Sequence, residues 1–116
     1  MHDNHRFQDA ERWAERFDDP ARDEWQRPDE VIASLELAPT ARVADLGSAT
    51  GYFAVRLARA VPEGRVWGVD IETSMVRYLN ERARREGLSN LFSVLGTATD
   101  PLIPEPVDVI LVVNTY

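Results

Sequence analysis

Short apolar runs alternate with amphipathic helical patterns between residues 41 and 95, and this alternation limits the possible folds more than any other feature. The strand-like runs are ARVADLG, RVWGVDI and LFSVL, and the helical patterns between them are GYFAVRLARAV and TSMVRYLNERARREG. A strand, helix, strand, helix, strand order is typical of a parallel sheet with right-handed crossovers. We therefore predict an α/β, Rossmann-like fold in which helices flank a parallel sheet.

A fourth strand-like run, VDVILVV, follows the proline-bearing segment GTATDPLIPEP. Proline has no N–H and clashes with the preceding helical turn, so we do not expect this segment to be a helix. About eleven extended residues reach some 36 Å. Strands three places apart are separated by only roughly 14 Å. The fourth strand can therefore lie beside the first, which gives the strand order 3-2-1-4.

The two helical patterns carry signals for their orientation and their ends. In the first, Phe53 and Leu57 lie on one stripe and are expected to face the sheet. In the second, Thr73 or Ser74 is expected to cap the N-terminus through its side-chain oxygen. Gly87 is expected to end that helix, because glycine readily adopts the left-handed conformation found just after a helix.

Residues 1–38 are predicted to form an N-terminal helical extension, followed by an α/β half-domain over residues 39–116. The charge is uneven, since residues 1–30 hold ten acidic residues against five arginines. Apolar residues at helical spacing over residues 7–17 predict an amphipathic helix. Pro28, with acidic residues directly after it, predicts the start of a second helix, PDEVIASLEL, which Pro39 ends.

The composition excludes several classes of function. A formal net charge of -7 argues against nucleic acid or an anionic membrane as partner, because the average surface repels both. The chain has no cysteine, which excludes disulfides, thiolate metal ligands and cysteine nucleophiles. No secretory signal and no apolar run long enough to cross a bilayer is visible. We therefore expect a cytoplasmic protein without a metal site.

The turn between the first strand and the first helix, DLGSATG, lies where doubly wound sheets bind ligands. The helix after it offers unpaired N–H groups to an anion, and Gly47 lets the backbone approach a ligand closely. Asp45 disfavours a phosphate, because two negative charges about 4 Å apart repel by on the order of 1 kcal/mol even in water. The same carboxylate favours an ammonium group, so an amino-acid moiety fits the turn. Alternatively, Asp45 only compensates the helix dipole.

Glycine spacing and a second acid narrow the ligand further. Gly47 and Gly51 are four residues apart, whereas the outer glycines of the dinucleotide fingerprint are about five apart. Asp70 ends the second strand, where an acid typically accepts hydrogen bonds from ribose hydroxyls. An amino acid and a ribose at one short turn, without a pyrophosphate, predict S-adenosylmethionine as the cofactor.

Residues 43–116 resemble the N-terminal half of a class I S-adenosylmethionine-dependent methyltransferase, a truncated form of that seven-stranded Rossmann-like fold. DLGSATG resembles the first family motif, GVDIETSMV the second, and SVLGTATDPLIPEPVDVILVVNTY the third and fourth strands with their linker. The resemblance implies S-adenosyl-L-homocysteine as product and a set of cofactor-binding residues. These are Gly47, Ser48, Ala49 and Gly51 at the methionine part, Asp70 at the ribose, Ile71, Thr97 and Ala98 at the adenine, and Asn114 near the amino group.

The sequence departs from the family pattern at two positions. Ala49 replaces the middle glycine of the first motif. Its methyl group costs little if φ is negative and about 1 kcal/mol or more if φ is positive. Thr97 stands where many relatives place an acid that contacts adenine. Asp100 could substitute for that acid, although Pro101 beside it indicates a turn.

The resemblance implies methyl transfer, which requires alignment of a nucleophile and exclusion of water rather than a metal. No catalytic residue is predicted. No acceptor is predicted either, because the resemblance covers the N-terminal half, whereas relatives hold much of the acceptor pocket in further strands. The apolar fourth strand would be a sheet edge, so we expect it to pair with the remainder of a longer chain or with a second copy. The alternative functions are a non-catalytic methyltransferase-like binding or dimerisation module and an NAD-binding oxidoreductase domain.

Overall fold

The computed structural model describes residues 27–112. Within this range the elements are, in chain order, α1 (Pro28–Ser34), β1 (Arg42–Leu46), α2 (Tyr52–Ala60), β2 (Arg65–Asp70), α3 (Thr73–Arg85), β3 (Leu91–Leu95) and β4 (Val109–Val112). The amphipathic helix predicted over residues 7–17 and the predicted site residue Asn114 lie outside the described residues. None of the described helices combines the length and the apolar character that crossing a membrane requires.

Across the described range, the strands form one parallel sheet in the order β3-β2-β1-β4, which confirms the prediction. Val43 of β1 pairs with Val66 of β2 and with Val109 of β4, and Val66 pairs with Leu91 of β3. The segment over residues 96–108 crosses from β3 to β4 without a helix. The prolines of this segment indicated as much, because they prevent a regular helix.

The hydrophobic core lies between the sheet and helices α2 and α3. Val43 and Val66 have no exposed surface, and neither do Leu57 of α2 and Leu79 of α3. Burial of a side chain of this size contributes about 1.5–3 kcal/mol. Helix α1 packs against the same core through partly buried side chains, which include Val31, Ile32 and Leu35. The core thus fixes α2 and α3 on the sheet, and with them the turns that precede both helices.

Helix α1 is shorter than the pattern PDEVIASLEL predicts. Pro28 begins it, as expected, but its last residue is Ser34. Glu36 follows with a φ of +50°, in the left-handed region that a right-handed helix does not include. The helix therefore stops before its apolar pattern does.

Helix α3 begins differently from the sequence-based expectation. Its N-cap is Glu72 in an extended conformation, with no side-chain cap, so the prediction that Thr73 or Ser74 caps this helix is wrong. The N–H of Glu72 donates to Asp70 Oδ1 at 3.0 Å, and this bond organises the turn from β2 into α3 instead. Gly87 follows α3 with a φ of +71°, which confirms the predicted end.

The two outer strands of the described sheet have different surroundings. At β3, the side-chain amide of Asn80 accepts a hydrogen bond from the Ser93 N–H at 2.8 Å and donates one to the Ser93 carbonyl at 3.0 Å. It occupies backbone groups that another strand would otherwise use, which protects this edge. β4 is the outer strand on the other side of the described sheet. Its Ile110 and Val112 side chains are 54% and 69% exposed, on the face of the sheet opposite Val109 and Leu111, which pack against the core.

A carboxylate in the β3–β4 linker connects that linker to the N-terminal ends of β1 and β2. Glu105 accepts hydrogen bonds from Arg65 at 3.0 and 2.9 Å and from the Trp67 indole N–H at 2.9 Å. The guanidinium of Arg42 lies 3.7 Å away. The hydrogen bond from Trp67 and the charges of Arg65 and Arg42 hold the pKa of Glu105 below its ordinary value.

We predict that Glu105→Gln makes the free energy of unfolding depend less on pH below neutral pH. Because the folded-state pKa of Glu105 lies below 4.5, its charge stabilises the fold at higher pH, and this contribution is lost as the pH falls through the folded-state pKa. Urea denaturation between neutral pH and about pH 3 measures the free energy of unfolding. The wild type should be the more stable protein at neutral pH, and the difference should shrink in acid.

The matched control for this experiment is Glu63→Gln, which changes an exposed glutamate in the α2–β2 turn. This control should follow the wild-type profile. A stability difference between wild type and Glu105→Gln that stays constant from neutral pH to about pH 3 would contradict the role of the Glu105 charge.

Candidate functional site

An open cleft of about 460 Å³ lies at the carboxyl ends of β1, β2 and β3. Ligands of doubly wound sheets bind at this edge, where the turns converge. The sequence-predicted residues that line the cleft are Gly47, Asp70, Ile71, Thr97 and Ala98. Among the described residues, no three potential metal ligands (His, Cys, Asp or Glu) are grouped in a way that could hold an ion.

Hydrogen bonds to the end of β2 hold the β1–α2 turn in place. The N–H groups of Gly47 and Ser48 both donate to the Val69 carbonyl, at 2.8 and 3.0 Å. The N–H of Ala49 donates to Asp70 Oδ2 at 2.9 Å. These donors are therefore satisfied within the protein, whereas the sequence suggested that they approach a ligand. The N–H groups in the first turn of α2 remain without intrahelical acceptors, as in any helix.

The turn contains three residues in the left-handed backbone conformation. Their φ angles are +72° at Gly47, +49° at Ala49 and +97° at Gly51. Glycine adopts this conformation readily. Ala49 carries a Cβ, so the costlier of the two alternatives left open by the sequence applies, at about 1–2 kcal/mol. At Gly51 a Cβ would also collide with Cδ1 of the buried Leu79.

Gly68 shapes the site, and the sequence analysis did not identify it. It lies inside β2, and a Cβ at this position would be 3.0 Å from Ser48 Oγ and 2.7 Å from Leu79 Cδ2. The absence of a side chain at Gly68 therefore allows the β1–α2 turn and α3 to approach β2 closely. A glycine in the interior of a strand is a signal for such an approach, so the residue could have been found from the sequence.

Asp45 is buried at the end of β1 rather than on the wall of the cleft. It is 4% exposed, pairs in register with Gly68 of β2 and Leu111 of β4, and already takes part in an interaction within the protein. Ser48 and Gly51 are buried as well. The predicted contact of Asp45 with an ammonium group therefore stays a prediction, as does its alternative role at the helix dipole.

Asp70 and Ile71 give the cleft one charged and one apolar wall. Both carboxylate oxygens of Asp70 accept backbone hydrogen bonds, Oδ2 from Ala49 and Oδ1 from Glu72. A carboxylate has about four acceptor sites, so about two remain for a ligand. Ile71 is 60% exposed and leaves an apolar surface for a flat ring. A sugar with hydroxyl groups, joined to an aromatic base, matches these two walls.

The β3–β4 linker forms the opposite wall with Thr97 and Ala98, both of which are exposed. Thr97 Oγ1 accepts a hydrogen bond from the Asp100 N–H at 2.9 Å and donates one to the Asp100 carbonyl at 3.1 Å. Asp100 Oδ1 accepts a hydrogen bond from the Leu102 N–H at 2.9 Å. Asp100 thus organises a turn, as the proline after it indicated.

Sequence comparison finds proteins of one catalytic class. A family model described as a methyltransferase domain matches residues 43–116. The malonyl-[acyl-carrier protein] O-methyltransferase of Methylococcus capsulatus is 40% identical over 73 residues, which make up 62% of this chain and 26% of that protein. The similarity thus includes the β1–α2 turn and the cleft described above.

Structure comparison finds the same class. The structure of a SAM dependent methyltransferase from Aquifex aeolicus superposes with a TM-score of 0.75 and 29% identity, over 84% of this chain and 53% of that one. The structure of coclaurine N-methyltransferase bound to N-methylheliamine and SAH gives a TM-score of 0.68 and 28% identity, over 75% of this chain and 26% of that one. This chain therefore spans between a quarter and about half of the length of these relatives.

We predict that alanine is tolerated differently at two glycines of the turn. Gly47→Ala places a Cβ in open space and should cost about 1–2 kcal/mol, the cost of the left-handed conformation. Gly51→Ala carries this cost and also drives a Cβ into Leu79, which adds about 1–3 kcal/mol of overpacking. The free energies of unfolding from urea denaturation measure both. Equal losses for the two variants would show that α3 does not press on the turn as described.

Proposed function

This chain belongs to the class I S-adenosylmethionine-dependent methyltransferases, and on that premise we propose that residues 39–116 are the cofactor-binding half of such an enzyme. The family match over residues 43–116 and the parallel sheet in the order 3-2-1-4 support the proposal. In the same proposal, residues 1–38 form a helical extension before this half. The activity of the whole enzyme belongs to the proposal too, because the chain spans only part of its relatives.

The observation that carries the proposal is the position of Asp70 and Ile71 on the cleft wall beside the β1–α2 turn. We infer that Asp70 accepts hydrogen bonds from the ribose hydroxyls and that Ile71 packs on the adenine ring, with the backbone at Thr97 and Ala98 along the adenine edge. The amino-acid end of the cofactor then lies at the turn. The residues proposed to surround it are Gly47, Ser48, Ala49, Gly51 and, near the amino group, Asn114.

Asp45 is proposed to favour the charge pattern of this cofactor over that of a dinucleotide. Asp45 lies in β1, two residues before Gly47 of the turn, and is 4% exposed. The field of a buried charge is screened less than that of an exposed one, so it acts on a nearby ligand without lining the cleft. It repels a pyrophosphate and attracts an ammonium group. This preference distinguishes S-adenosylmethionine from NAD.

The proposed reaction transfers the sulfonium methyl group of S-adenosylmethionine to an acceptor nucleophile and leaves S-adenosyl-L-homocysteine. In it the protein aligns the reactants and excludes water. An O-methyltransferase and an N-methyltransferase both occur among the relatives, so we assign no acceptor and no catalytic residue. The lack of cysteine agrees with a reducing compartment, and we propose a cytoplasmic location.

We further propose that additional polypeptide pairs with β4. Among the described residues β4 is an outer strand of the sheet, whose other outer strand has its backbone covered by Asn80. Ile110 and Val112 also expose apolar side chains on the face of the sheet opposite the core, which further polypeptide would cover. Strands that continue the methyltransferase sheet are the proposed partner, because the relatives are two to four times as long as the matched segment. A homodimer formed through β4 is the alternative partner.

We predict that this chain alone associates with itself in a concentration-dependent manner, because exposed apolar strand edges pair with one another. Sedimentation velocity of the wild type and of the Ile110→Lys, Val112→Lys double variant measures the association, which the double variant should reduce. Leu102→Lys is the control, since Leu102 is also 53% exposed but lies in the linker. A dimer of fixed stoichiometry would favour the second copy, and a wild type that stays monomeric at all concentrations would contradict both partners.

The cofactor assignment is tested by calorimetric titration with S-adenosyl-L-homocysteine, 5′-methylthioadenosine and NAD. We expect both adenosyl ligands to bind and NAD not to bind. Asp45→Asn should weaken S-adenosyl-L-homocysteine binding by about tenfold or more, the usual effect of losing an interaction with a charged group. It should leave binding of 5′-methylthioadenosine unchanged, because that ligand lacks the amino-acid end.

The second ligand also serves as the control for general damage by Asp45→Asn. Equal losses for both adenosyl ligands would indicate a structural role for Asp45 rather than a preference for an ammonium group. Binding of NAD alone would favour the oxidoreductase, and binding of none of the ligands would favour the non-catalytic module.

A further inference from the structure

Ala49 is the one residue of the left-handed set in the β1–α2 turn that carries a Cβ. Its φ is +49°, between Gly47 at +72° and Gly51 at +97°. A side chain makes this conformation unfavourable, so an interaction must hold Ala49 there. The residue is also half-buried and directly follows the two turn residues whose N–H groups donate to Val69.

The interaction at hand is the hydrogen bond from the Ala49 N–H to Asp70 Oδ2, at 2.9 Å. Hydrogen bonds to an ionised acceptor are roughly twice as strong as neutral ones. The other oxygen of the same carboxylate accepts the Glu72 N–H at 3.0 Å. Asp70 therefore connects the β1–α2 turn with the β2–α3 turn through a single side chain.

The same carboxylate lines the cleft. With two acceptor sites used by backbone N–H groups, about two remain, one for each hydroxyl of a ribose. The group that would hold the ribose thus also holds Ala49, in the turn that the proposed function assigns to the amino-acid end of the cofactor. The Asp70 carboxylate would thus serve both the ribose and the β1–α2 turn.

We propose that Asp70 is a positioning residue for the β1–α2 turn in addition to a ligand of the ribose. It keeps Ala49 in the left-handed conformation, and binding at the amino-acid end depends on it for that reason. This inference rests on the proposed function, since it assigns the amino-acid end of the cofactor to the turn.

The test compares wild type, Ala49→Gly, Asp70→Ala and the double variant in titrations with S-adenosyl-L-homocysteine and 5′-methylthioadenosine. Asp70→Ala should weaken 5′-methylthioadenosine by about tenfold through the ribose. It should weaken S-adenosyl-L-homocysteine by several times more, because the turn relaxes as well. Ala49→Gly should recover about threefold or more of that additional loss, since glycine adopts the left-handed conformation unaided, and should not improve 5′-methylthioadenosine binding.

A role of Asp70 at the ribose alone gives a different result. Both ligands would then lose affinity by the same factor, and Ala49→Gly would rescue neither, which would overturn the proposal. Asp70→Asn is the conservative second variant. The two backbone N–H groups bond to different oxygens of Asp70, and asparagine replaces one of these with an NH2 donor. One N–H therefore loses its acceptor, so the losses should fall between those of wild type and Asp70→Ala.

Denaturation without ligand tests the same coupling if the chain does not bind the cofactor. Ala49→Gly should raise the urea midpoint more in wild type than in the Asp70→Ala background, because only the intact carboxylate forces residue 49 into the left-handed conformation. Glu36→Gly is the matched control, with a φ of +50° in the turn after α1. Its effect should be the same with and without Asp70.

The two readouts separate the two possible failures. Absence of binding by the wild type would contradict the proposed function, while the denaturation cycle would still decide the role of Asp70. Additive effects of Ala49→Gly and Asp70→Ala on the urea midpoint would contradict the positioning role, whatever the ligand titrations show.

Discussion

The attachment of the β1–α2 turn to the end of β2 is the constraint on which the cleft depends. The Val69 carbonyl accepts hydrogen bonds from two N–H groups of the turn, and the Asp70 carboxylate accepts one from a third. Gly68 makes this possible because it leaves space for Ser48 above the strand. The cleft is therefore a consequence of how two neighbouring parallel strands end, rather than of the turn alone.

Much of this architecture follows from the sequence because its causes are local. The alternation of apolar runs and helical patterns predicts parallel strands joined by helices, and the prolines after β3 predict a crossing without a helix. The positions of Gly47 and Asp70 in these patterns place both at the carboxyl edge, where the structure has them. The strands, the helices and the turns could thus be predicted, because they follow from hydrophobic periodicity and from the backbone preferences of glycine and proline.

Other features depend on contacts between distant residues, and the sequence does not reveal them. The N–H groups of Gly47, Ser48 and Ala49 donate to Val69 and Asp70 of β2 rather than to a ligand. For Ala49 the acceptor lies 21 residues further along the chain, so local sequence patterns do not indicate it. Helix α3 has no side-chain cap, and Asp70 organises the turn before it by accepting a hydrogen bond from the Glu72 N–H. Glu105 meets Arg65 across 40 residues. The burial of Asp45 likewise results from packing of the whole sheet.

Chemical shift changes in a ¹⁵N–¹H NMR spectrum on addition of S-adenosyl-L-homocysteine test the location of the cofactor most directly. We expect the largest changes at the backbone amides of Gly47, Ile71, Thr97 and Ala98, which line the cleft, and of Ala49, which is bonded to Asp70 on its wall. Changes confined to another surface, such as the outer sides of α2 and α3, would contradict the assignment of this cleft as the cofactor site.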